Sequence, residues 1–137
     1  MSIINYIIIL VLLLIIDIPM ITKINSKMYQ TQLNRINKDS KPGSNKLIAG
    51  IICYLLLALA IYIFIILPEK EKTIKSSNLD ILKKGMILGF IIYGVYNSTN
   101  RATINEYGTL ESIIDTVWGS ILIGLISFLA ITIKIAN

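Results

Sequence analysis

The chain has 137 residues, 55% of them hydrophobic and 15% charged, with a net charge of +5 and no histidine. Its mean hydropathy of +0.74, with the apolar residues gathered in long runs, excludes an ordinary soluble domain, where the apolar share is nearer about 45–50% with glycine counted. The lysines and arginines lie between those runs and not in one patch with stacking aromatics, which excludes a nucleic-acid surface, and a single cysteine without histidines excludes an intrachain disulfide and a zinc motif.

The first apolar run covers 3–16 and extends through Asp17, Pro19 and Met20 to residue 21. No basic residue precedes it, and Asp17-Ile18-Pro19-Met20 is not a small-residue cleavage site. It therefore reads as a retained membrane helix over 3–21 and not as a signal peptide. Residues 22–46 form a basic link, with Lys23, Lys27, Arg35, Lys38, Lys41 and Lys46 against a single Asp39. Lys41-Pro42-Gly43-Ser44-Asn45 is a breaker. Ile24, Met28, Tyr29 and Leu33 suit one face of a short interfacial helix over 25–36.

The second run, 47–67, is uninterrupted and ends at Pro68; at about 1.5 Å per residue it matches a hydrocarbon core of roughly 30 Å. A charged link follows, in which Ser76-Ser77-Asn78 suits a helix cap. The third run, 79–98, carries Lys83 and Lys84 in its first turns, so these must snorkel or lie at the interface. Its purely apolar part, 85–95, is too short to span alone, and the polar residues after it are expected at membrane depth. A link with Arg101, Glu106 and Gly108 leads to the fourth run, 111–133, which has Asp115 and Trp118 near its start.

The expected fold is all-α: one domain, 1–137, forming an integral membrane bundle of four transmembrane helices over 3–21, 47–67, 79–98 and 111–133. Gly119, Ser120, Gly124 and Ser127 in the last run, and Gly85 and Gly89 in the third, are small residues at helical spacing. Such residues allow close helix approach in lipid, either inside the bundle or between copies of a homo-oligomer. Charge barely orients the bundle: the face of the first and third links has seven Lys and Arg and the opposite face six, which leans towards termini on the outer or lumenal side.

Alternating chain direction gathers polar residues at one end. Asp17 closes the first helix, Tyr54 opens the second, Tyr93, Tyr96, Asn97, Thr99, Asn100 and Arg101 end the third, and Glu111, Asp115 and Trp118 begin the fourth. Asp115 and Trp118 share a helix face, as do Tyr93 and Tyr96. Ionisable groups at membrane depth are costly, face inward and mark function by default. Two readings stand side by side. In one, Arg101 pairs an aspartate, Asn and Thr groups cap the third helix, and the aromatics form an interfacial belt. In the other, the same groups line a pocket for a lipid head group, a cation or a small metabolite.

The segment Tyr93-Gly-Val-Tyr96-Asn97-Ser98-Thr99-Asn100-Arg101-Ala102-Thr103, followed by Asp115-Thr-Val-Trp118-Gly119, resembles an uncharacterised membrane family catalogued as domain of unknown function 2177, with bacterial and large-DNA-virus members. The likeness extends along nearly the whole chain and takes in Asp17, Tyr29, Tyr54 and Leu67-Pro68. That family usually has an acidic residue where this chain has Asn97, and an aromatic near Pro19-Met20. The resemblance implies four membrane helices and carries no activity with it.

Among function classes, an enzyme ranks last. Ser98 and Ser112 have only carboxylates or tyrosines nearby, and without histidine a serine or cysteine nucleophile lacks its usual base. An Asp17/Asp115 pair could do acid–base work or hold a divalent cation, and no cofactor is called for. A channel lacks a filter sequence and a helix-long polar stripe. A multi-pass protein with a polar binding pocket, and a structural or assembly component of a cellular or viral membrane, rank level. Membrane lipids are the expected partners, met by the basic first link.

Overall fold

The computed structural model describes residues 3–36 and 44–133, and the breaker expected at Lys41-Pro42-Gly43 lies outside them. Among the described residues the chain is helical throughout its regular structure. Helix α1 (Ile3–Pro19) runs directly into one π-helical turn, Met20–Ile24, in which the Asn25 amide donates to the Met20 carbonyl at 2.9 Å. Thr22 Oγ1 supplies a donor to the Ile18 carbonyl at 2.7 Å, where the ladder changes register. The short helix α2 (Ser26–Ile36) follows at once.

Helix α3 (Ser44–Ile61) passes through a second π turn, Tyr62–Ile66, into α4 (Leu67–Glu71). Pro68 explains that turn. It has no N–H to give the Phe64 carbonyl, and widening the helix by one residue lets the Leu67 amide reach the Tyr62 carbonyl instead. Helix α5 (Asn78–Thr103) is capped by Ser77, whose hydroxyl accepts from the Asp80 amide at 3.1 Å and donates to the Asp80 carboxylate at 2.7 Å. Helix α6 (Thr109–Thr132) completes the described chain.

Among the described residues three stretches are long and apolar enough to cross a membrane: Ile3–Ile24, Lys46–Glu71 and Thr109–Thr132. Helix α5 falls outside that set although it is 26 residues long. Asp80, Lys83 and Lys84 occupy its first two turns, and polar residues fill it from Asn97 onwards. The observed count of apolar spans is thus smaller than the four expected.

The core is built from one stripe each of α1, α3, α5 and α6. Ile9 and Leu13 of α1, Ala58 and Ile61 of α3, Ile81 of α5, and Leu122, Ile123 and Ile126 of α6 are all buried. Helices α5 and α6 approach most closely, because glycine faces small groups across the contact. A Cβ on Gly85 would lie 2.6 Å from Ser127 Oγ and 2.8 Å from Gly124 Cα. One on Gly89 would meet the Gly119 carbonyl, with Ile123 Cβ and Ser120 Cα at 2.9 Å. The close approach permitted by these glycines lies within a single chain. Outward, Ile7, Val11 and Ile15 of α1, Ile51 and Leu56 of α3, and Val117 and Ile121 of α6 are exposed, as a surface in contact with lipid requires.

Candidate functional site

The buried stripe of α1 advances in steps of four, Ile9, Leu13, Asp17, so the helix that hides two aliphatic side chains must hide a carboxyl on the same face. Asp17 is 4% exposed. Its Oδ1 accepts from Trp118 Nε1 of α6 at 2.8 Å, and its Oδ2 accepts from the Tyr54 hydroxyl of α3 at 2.8 Å. One side chain therefore joins three helices.

Asp115 lies one turn before Trp118 on α6 and has its own donors. The Tyr29 hydroxyl of α2 reaches its Oδ1 at 2.5 Å, and Asn97 Nδ2 of α5 reaches its Oδ2 at 2.8 Å. Asn97, 2% exposed, also donates to the Tyr93 carbonyl at 2.9 Å and accepts from the Tyr107 hydroxyl at 2.8 Å. Tyr29 is tied down twice over, because Arg35 on the same short helix forms an ion pair with Glu111 at 3.2 Å. Burial first, and then the Asp115 carboxylate, push the Tyr29 hydroxyl well above its ordinary value, so it stays a protonated donor.

Arg101 does not pair an aspartate. It sits in the last turn of α5, is exposed, and donates to the Tyr107 carbonyl at 2.7 Å, bracing the tight link into α6. Both aspartates are held instead by neutral donors, and among the described residues neither forms a salt bridge. Each carboxylate oxygen receives one hydrogen bond from these groups, which leaves lone pairs open on both side chains.

A cavity of about 580 Å³ opens between the two aspartates and α2. Ile21, Met28, Leu33, Leu57, Ile92 and Ile104 make its walls apolar, and Tyr29, Tyr54, Tyr93, Tyr96 and Tyr107 make them aromatic. Of the residues expected at the polar end, Asp17, Tyr54, Tyr93, Tyr96, Asn100 and Asp115 line this space. Asn97 and Trp118 stand behind it, bonded to its carboxylates. Tyr96 is 57% exposed, at the rim. Thr99 and Arg101 are not among the lining residues: Thr99 is exposed, and its carbonyl accepts from the Thr103 hydroxyl. Among the described residues no three His, Cys, Asp or Glu side chains are grouped to hold a metal ion.

Several contributors were not among the expected site residues. Tyr29, Gln32 and Ile36 reach the cavity from α2, and Tyr107 from the third link. Their one sequence signal is spacing: Met28, Tyr29, Gln32, Leu33 and Ile36 recur every three or four residues, which marks a single helix face.

A family model described as predicted membrane protein (DUF2177) matches residues 2–132, a span that contains every residue of the cavity. The chain belongs to this family. This DUF2177 protein is accordingly a membrane protein, and its apolar helices are those of a chain that resides in a bilayer. No curated protein and no solved structure matches it.

Proposed function

We propose that this DUF2177 protein crosses the bilayer four times and holds an amphipathic molecule in the cavity beneath α2. The fourth crossing is α5. At about 1.5 Å per residue its 26 residues reach about 39 Å, enough for the hydrocarbon core with polar ends to spare. Gly85 and Gly89 keep it against α6, and its free face presents Ile87, Phe90, Ile91 and Val95 outward. Such a face suits lipid and not water.

The cavity carries the functional reading. Ligand sites in proteins usually measure about 300–1,000 Å³, with apolar and aromatic walls and a few convergent polar groups. This one has about 580 Å³, five tyrosines and three carboxylates, Asp17, Glu111 and Asp115, drawn from segments far apart in sequence. Membrane-buried carboxylates are expensive to maintain, and a polar group on a bound molecule would take up their open lone pairs.

A second reading is favoured by how fully the donors are used. Trp118, Tyr54, Tyr29 and Asn97 each find an acceptor in an aspartate, so the network could serve to lock the bundle of a structural or assembly protein. Gly50 separates the two. It lines the cavity, and a Cβ built on it meets nothing within 4 Å. Gly50→Phe should fill the space without disturbing the bundle. Native mass spectra of protein extracted in mild detergent should show lipid-sized adducts on the wild type and lose them in Gly50→Phe, at equal folding yield. Equal adducts on both would refute the cavity as their site. Loss of yield in Asp115→Asn with adducts retained would favour the locking role.

A further inference from the structure

We infer that the occupant of this cavity presents an ammonium group, quaternary or primary, to the Asp17 and Asp115 carboxylates. The inference rests on the amphiphile reading above and names the chemistry of the recognised end. Three observations carry it. The first is charge. Asp17, Glu111 and Asp115 line the cavity, and no lysine or arginine does among the described residues. Glu111 is balanced by Arg35 at 3.2 Å, whereas among the described residues Asp17 and Asp115 are met by neutral donors alone. Asp17 is buried and Asp115 half-buried; charges so placed are ordinarily paired, and the described lining supplies no positive partner for either.

The second is the wall. Five of the seven tyrosines in the chain face this one space. An aromatic face carries negative charge density and attracts cations, and aromatic surroundings are the usual recognition device for quaternary ammonium groups. A head group whose only charge is a phosphate or carboxylate would instead meet like charges with no ammonium to offset them. The third is the donor set. Hard metal cations require about six or more oxygen ligands or a compact carboxylate cluster, and among the described residues no group of three candidate ligands exists. An organic cation needs no such cage, and its apolar part can lie along Met28, Leu57 and Ile92.

The ammonium group could belong to a lipid head or to a soluble amine, and one titration distinguishes them. Trp118 is the single tryptophan, and its indole donates to Asp17, so its fluorescence reports on the cavity floor. The full-length protein in maltoside micelles is titrated with lysophosphatidylcholine, with the same lipid bearing the neutral tert-butyl isostere of choline, with lysophosphatidylglycerol of equal chain length, and with free choline. Saturable change with lysophosphatidylcholine is expected, about tenfold weaker with the isostere and weaker still with lysophosphatidylglycerol. Asp115→Asn should cost about tenfold for the cationic ligand and little for the isostere. Saturation by free choline would uphold ammonium recognition and assign a soluble source, whereas inert choline beside active lysophosphatidylcholine would uphold it with a lipid source. Equal binding of lysophosphatidylcholine and its isostere by the wild type would overturn the ammonium inference while leaving an amphiphile site in place. Responses identical in the wild type and Gly50→Phe would remove the amphiphile site and the inference together. The isostere comparison needs no variant, so a folding failure of Asp115→Asn leaves the test intact.

Discussion

Replacing Gly89 by alanine should force α5 away from α6, and the sign of the effect follows from what the new methyl group meets. Within a helix interior, glycine to alanine ordinarily stabilises by roughly 0.5–1 kcal/mol, since glycine loses more backbone freedom on folding. At Gly89 that gain is opposed. The Cβ would press on the Gly119 carbonyl and lie 2.9 Å from both Ile123 Cβ and Ser120 Cα, against a comfortable carbon–carbon separation of about 3.5–4.0 Å. Two of these neighbours are backbone and cannot swing aside, so the helices must part by several tenths of an ångström. Overpacking of this kind costs about 1–3 kcal/mol, which leaves a net loss of up to about 2.5 kcal/mol, centred on about 1, once the propensity gain is subtracted. The control is Gly50→Ala, where nothing lies within 4 Å of the new atom and the propensity gain stands alone. Reversible unfolding in mixed micelles, followed by circular dichroism, measures both. Gly89→Ala should unfold more readily than the wild type and Gly50→Ala less readily. A Gly89→Ala protein as stable as Gly50→Ala would show that the α5–α6 contact is not as close as described.

Asp17→Ala strands the Trp118 indole N–H and the Tyr54 hydroxyl at once. Each unsatisfied buried donor costs about 1–3 kcal/mol, so a loss of roughly 3 kcal/mol is expected in the same unfolding assay, with Asp17→Asn milder because one acceptor oxygen remains. Tyr29→Phe should remove an alkaline component of stability. The hydroxyl is raised in the folded state above its ordinary 10.0, so its contribution is complete below about pH 10 and fades as pH climbs further. Above that point the wild type should lose stability faster than Tyr29→Phe, read from parallel melts across the alkaline range. Glu111→Gln breaks an ion pair whose side chains are 45% and 14% exposed. It should cost no more than about 1 kcal/mol, and the difference should shrink in high salt.

The all-helical membrane character was legible because long apolar runs have one physical solution in lipid, and the runs 3–21 and 47–67 lie within continuous membrane-length helices, Ile3–Ile24 and Lys46–Glu71. The inward direction of Asp17 was legible from cost alone, since it is the one charged side chain in the run 3–21; the structure adds that it extends the buried stripe of Ile9 and Leu13. Gly85 and Gly89 announced a close contact, and the fold supplies its partner, α6. What pairwise chemistry would do was far less legible. Tyr29 and Asp115 are 86 residues apart, and nothing in the first link states that α2 folds back over the bundle. Arg101 looked like the natural counter-ion for an aspartate at this end. Its position in the last turn of α5 instead puts its guanidinium on the Tyr107 carbonyl, while Asn97, from the turn before, does the work at Asp115. The third link folds so that Tyr107 turns inward to Asn97, a direction that a loop sequence does not reveal.

Mapping a photoactivatable lipid tests the central claim most directly. After irradiation in native membranes and peptide mass spectrometry, adducts should appear on cavity residues such as Cys53, Leu57 and Ile92 and disappear from them in Gly50→Phe. Adducts confined to outward residues such as Ile7, Phe90 and Ile121, unchanged by that substitution, would show that lipid merely surrounds the bundle.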